Sequence, residues 1–128
     1  YYVALTEGGS KLYRCDSTSN RFQNFFDHQE ELKIENLPER NMLWHLNVSA
    51  DGEKLHGLFT LSTGHGGAGA RLYYAESRMD SDTWVIKHEI APLVKDKYVK
   101  KVYRSALIKI EDTWYAVWNY LLRRKNAR

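Results

Sequence analysis

Little in this chain could hold it together or anchor it other than its own packing. There is one cysteine, Cys15, so no internal disulfide can form and no redox compartment is indicated. There are two prolines, both in stretches of loop composition, which leaves long strands uninterrupted. No apolar run reaches the roughly 20 residues of a membrane helix, so insertion as a helix is not expected. No signal-peptide pattern opens the chain. Its first residue is Tyr1 rather than Met, from which a processed or cut chain is expected. Helical periodicity of 3.6 is poor throughout. Charge of one sign is barely in excess: the net charge is +3 and the pI is near 9.0, the balance of an ordinary solvated surface.

The sharper motifs of small sites are also missing. "STGHGGAGA" at residues 62–70 is Gly-rich but lacks the Lys-Ser/Thr ending of a phosphate-binding loop. It reads as a flexible connection, and its extra length could bring His65 to a ligand. His28, His45, His56, His65 and His88 have no zinc-type spacing and no thiolate partners, so no metal or other cofactor is expected. No G-x-S-x-G elbow occurs. The basic end "LLRRKNAR" reads as a solvated tail, and no nucleic-acid partner is expected.

What is present is a globular, strand-rich chain. Its 128 residues are enough for one domain with a real core. Hydrophobic residues make up 43%, with 9 tyrosines and 4 tryptophans, a composition that suits β-structure and ligand-binding surfaces alike. "YYVALT", "KLYRCDS", "ARLYYAES" and "TWVIKHEI" read as strands. "LWHLNVSADGEKLHGLFTLS" holds two strands around Asp51-Gly52, and "VYRSALIKIEDTWYAVWNYLL" two more around Glu111-Asp112. "NFFDHQEELKIENLPER" reads as an irregular connection with some helical character.

The chain repeats itself. An offset of 59 positions brings residues 42–59 onto 101–118 without a gap. Trp44 then meets Tyr103, Val48 meets Leu107, Leu55 meets Trp114, Leu58 meets Val117 and Phe59 meets Trp118. More weakly, "YYVALT" matches "GLFTLS" at 57–62, "KLYRCDS" matches "RLYYAES" at 71–77, and Phe22 answers Trp84. In this frame Cys15 answers Ala75, a packing position rather than a nucleophile. The unit is four antiparallel strands with a period of about 60 residues, the signature of a propeller blade. The expected fold is all-β, a β-propeller in blades of four antiparallel strands. Residues 1–41 would end one blade, 42–100 form a complete one and 101–128 start a third. The alternative is an antiparallel sandwich of two similar meanders.

"LWHLNV", "ARLYYAES" followed by a turn and Trp84, and "VYRSALIKIEDTWYAVWNY" resemble the five-bladed propeller of the β-fructosidase and arabinanase superfamily of glycosidases. They also resemble the related non-enzymatic propellers of phage tail and receptor-binding proteins. The resemblance spans most of residues 42–120. It implies a partial five-bladed propeller whose innermost strands bring side chains to a central funnel. In the enzymes those strands carry the two carboxyl groups of glycoside hydrolysis. Here the matching positions hold Asn47 and Arg104 or Ser105, none of them a carboxylic acid. No catalytic residue carries over.

Those strands instead offer binding groups. His45, Asn47, Tyr103, Arg104 and Ser105 could bond sugar hydroxyls, and Trp44 and Tyr103 could stack on a sugar ring. Arg104 could pair with phosphate or carboxylate on a bacterial surface polymer. Packing between blades accounts for Trp44 and Tyr103 equally well. The leading expectation is a non-catalytic, carbohydrate-recognising module of a phage tail or cell-surface protein, extracellular or virion-associated. A glycoside hydrolase with its acids in blades absent here and a structural propeller platform stand beside it. Two and a half blades leave open faces, so self-association or the remaining blades of a larger parent chain are expected to cover them.

Overall fold

A computed structural model describes residues 2–6, 9–15, 29–39, 41–63, 69–90 and 97–124, with side chains in 11–14, 30–39, 41–63, 69–90 and 104–119. The fold is all-β. Its strands are β1 (Tyr2–Thr6), β2 (Gly9–Cys15), β3 (Gln29–Glu35), β4 (Met42–Asp51), β5 (Lys54–Ser62), β6 (Arg71–Arg78), β7 (Thr83–Ile90), β8 (Lys97–Ile110) and β9 (Thr113–Arg124). Among the described residues there is no helix.

The complete four-strand unit forms as the repeat implies. β4, β5, β6 and β7 pair antiparallel in chain order. Alternation sorts their side chains onto two faces. Leu55, Phe59 and Leu61 of β5, Tyr73 and Ala75 of β6, and Trp84 and Ile86 of β7 pack into one core with Leu43 of β4. β5 is buried from Leu55 to Ser62 on both faces, so each side of the unit has a cover.

An arm made of β1, β2 and β3 covers the first face. Its Leu12 and Leu32 complete the core. The arm does not form a separate sheet. β3 pairs parallel with β7 through Lys33, Ile34 and Glu35, giving one seven-stranded sheet in the order β1-β2-β3-β7-β6-β5-β4. Lys33 N–H donates to Asp82 O at 2.8 Å. The Arg14 guanidinium donates to Met79 O and Ser81 O at 3.1 and 3.0 Å. These bonds clamp the arm to the β6–β7 turn. The sheet curls until β1 and β2 approach β4, a nearly closed, barrel-like form compatible with a partial propeller.

β3 occupies the stretch expected to be an irregular connection. Glu31-Leu32-Lys33-Ile34-Glu35 alternates polar and apolar residues, with Leu32 buried and Glu31 exposed. A strand of period two satisfies that pattern where a helix would not. Phe22, the expected counterpart of Trp84, lies outside the described residues.

The hairpin β8–β9 covers the second face. Leu107, Ala116 and Trp118 pack on Leu58, Leu72, Tyr74 and Ile90. Both backbone groups of Leu107 are taken by β4: its N–H donates to Asn47 Oδ1 at 3.3 Å, and its carbonyl accepts from Ser49 Oγ at 3.4 Å. Lys109 Nζ meets Asp51 Oδ1 at 3.3 Å.

The 59-residue repeat is realised pair by pair. Ala50↔Leu55, Val48↔Gly57 and Leu46↔Phe59 in β4–β5 become Lys109↔Trp114, Leu107↔Ala116 and Ser105↔Trp118 in β8–β9. Each hairpin turns through two residues, the first with positive φ: Gly52 at 61° and Glu111 at 55°, as in a type II′ turn. Each has a bulge in its first strand at the same place, between Leu43 and His45 and between Val102 and Ser105. The weaker N-terminal match slips by one residue. Val3 pairs with Leu12, whereas its counterpart Phe59 pairs with Tyr73 rather than Leu72.

Candidate functional site

β4 is the edge strand of the large sheet, and β8 lies beside it in the next layer. Near the start of β4 and midway along β8, the repeated bulge sets one extra residue against the partner strand and re-aims the side chains there. His45 and Arg104 hold equivalent positions of the repeat, on neighbouring strands of adjacent layers. Burial lowers the His45 pKa below its ordinary value, and the nearby Arg104 charge adds to the lowering. At neutral pH His45 is therefore an uncharged imidazole, able both to donate and to accept. Its ring lies 4.5 Å from that of Trp44, tilted by 41°. Arg104 is exposed, and its backbone N–H donates to Asn119 Oδ1 at 2.9 Å, which secures the bulge.

The remaining expected residues are distributed differently. Ser105 follows Arg104 and is half-buried. Asn47 faces the layer interface, where its Oδ1 holds Leu107. Tyr103 lies in β8, but its side chain is outside the described ones. His65 lies outside the described residues altogether.

A second cluster was not evident from spacing. Tyr74 and Glu76 alternate on one face of β6, and β5 sets His56 opposite Glu76. Tyr74 Oη donates to Glu76 Oε1 at 2.9 Å and lies 2.6 Å from His56 Nδ1. Burial works against the Glu76 charge, but the bonds from Tyr74 and Lys54 and the charges of Lys54 and Lys87 outweigh it and hold its pKa below the usual value. Because the carboxylate accepts the Tyr74 proton, His56 Nδ1–H is the donor to Tyr74 Oη. Burial, first, and then the bond that Tyr74 donates to Glu76 and the Glu76 charge push the Tyr74 hydroxyl pKa up. Burial and then Lys54 lower the His56 pKa, against an opposing pull from Glu76 and Asp51. The His56 ring lies 4.6 Å from Trp114. With Leu58, His88, Ile90 and Leu107 these rings line a cavity of about 230 Å³ between meander and hairpin. The signal for this cluster was the alternation in "LYYAES", legible only once the register with β5 is known.

A cleft of about 420 Å³ lies along Lys54, Glu76, Arg78 and Lys87. Its charges are spent on one another: Lys54 and Lys87 pair with Glu76, and Arg78 with Glu53 and Asp80. No family model, curated protein or solved structure matches this chain.

Proposed function

We propose that this chain is a carbohydrate-recognising β-propeller module of the glycosidase-like type, binding a surface glycopolymer without turning it over. A phage tail or cell-surface protein is its natural setting. The observation that carries this reading is the placement of His45 and Arg104 at equivalent bulges of neighbouring layers. A neutral imidazole, an exposed guanidinium and the Trp44 ring together suit a sugar bearing an anionic group. Glu76 does not suit the role of a glycosidase's proton donor: its neighbours hold its pKa below the usual value, whereas that donor needs a raised one.

The test titrates the protein with polysaccharides bearing carboxylate or phosphate groups while reducing ends are assayed. The expected result is binding that weakens with salt, falls about tenfold or more in Arg104→Ala, and releases no reducing ends. Release that stops in Glu76→Gln overturns the reading in favour of a hydrolase. Binding that is indifferent to both Arg104→Ala and His45→Ala overturns the site.

A further inference from the structure

The repeat exposes a reversal of the usual burial rule. The outer face of β4–β5 is covered by β8–β9, yet it is largely polar there: Ser49 and His56 with Leu58, and Asp51 at its exposed rim. The equivalent positions on β8–β9 are Ile108, Ile110, Tyr115 and Val117. These are 45, 57, 48 and 54% exposed. With Ala106 they form a continuous face of two paired strands, and none of the five carries a charge. Lys109 lies on the opposite face, against Asp51 and Trp114. The covered member of the repeat is polar and the uncovered member apolar, which is unfavourable for a face left in water.

The other end of the stack is different. The outward face of the β1–β3 arm carries Lys11, Glu31, Lys33 and Glu35, all exposed, with Lys11 and Glu31 paired at 3.7 Å. That face is suited to solvent, as a capping layer should be. It does not complement an apolar sheet, so head-to-tail stacking of copies is disfavoured. The self-complementary match for the β8–β9 face is the same face on another molecule, across a two-fold axis.

We propose that the face of Ile108, Ile110, Tyr115 and Val117 is a self-association surface through which two copies of this chain pair sheet to sheet. The pair is closed. Both apolar faces are consumed in it, and the charged arms point outward. The inference uses none of the groups of the proposed carbohydrate site: His45 is on β4, and Arg104 lies beyond Ala106 from the hairpin's turn.

Light scattering after size-exclusion chromatography, over a dilution series, tests it. The expected species has twice the 15.0 kDa chain mass. Val117→Lys and Ile108→Lys should each give a monomer with an unchanged near-ultraviolet circular dichroism spectrum. Should either lysine variant unfold, Val117→Thr, close in shape, should raise the dimer dissociation constant about tenfold. A dilution-resistant monomer overturns the proposal. A dimer unmoved by all three variants places the contact on another face and also overturns it. A ladder of masses growing with concentration shows open stacking and rules out the closed pair.

Discussion

At the scale of single residues, the two hairpin turns are one experiment with two answers. The chain places glycine at the first turn residue of β4–β5 and glutamate at the same position of β8–β9, both near φ +60°. Glycine meets this requirement freely, while a residue with a Cβ is strained by about 1–2 kcal/mol. Glu111→Gly should therefore stabilise the protein by about 0.5–1 kcal/mol, and Gly52→Ala should destabilise it by about 1 kcal/mol, both read from urea unfolding. His56 makes a second prediction. Its folded pKa lies below the ordinary histidine value of 6.5, so the unfolded chain takes up a proton first as pH falls. Stability should be complete above about pH 6.5 and decline below it. His45 adds to the same slope. His56→Gln should flatten the decline between pH 7 and 5, measured by unfolding at each pH. An unchanged slope would show that His56 is not shielded as described.

At the scale of elements, most strands were legible because their alternation and turn residues agree. Asp51-Gly52 and Glu111-Asp112 marked both hairpins, and β6 and β7 carry clear apolar patterns. β3 was obscured by the charged residues that alternate with Leu32 and Ile34, and its parallel partner β7 lies about 50 residues away in sequence, a long-range pairing that local pattern cannot show. The His56–Tyr74–Glu76 cluster was hidden for the same reason: it exists only across two strands. Of the residues expected at the site, the equivalence of His45 and Arg104 was legible because both sit at matched places in the repeat. The use of Asn47 to hold Leu107 was not, since it depends on how the layers stack. β5 offers the sharpest element-level prediction. A Cβ on Gly57 would lie 2.8 Å from Trp84 and 2.9 Å from Phe59, both fully buried. Neither ring can yield cheaply in a close-packed core, so Gly57→Ala should cost about 1–3 kcal/mol. A loss below about 0.5 kcal/mol in chemical denaturation would mean that β5 is not covered by Trp84.

At the scale of the whole molecule, the repeat explains the architecture. The β9 residues Trp114, Ala116 and Trp118 are the counterparts of Leu55, Gly57 and Phe59 on β5. On β5 these positions face the arm; on β9 Trp114 reaches His56, and Ala116 and Trp118 pack on the outer face of the meander. The same face of each unit thus rests on the opposite face of the unit before it. That is the packing rule of a propeller, in which one blade cannot bury both of its faces alone. In this packing β8–β9 lies on β5 and β6 through its aromatic face. Nuclear Overhauser spectroscopy should therefore show cross-peaks from the Trp114 ring to the His56 ring, 4.6 Å away, and from the Ala116 methyl to Leu58. A Trp114 ring whose cross-peaks stay within its own hairpin would contradict it.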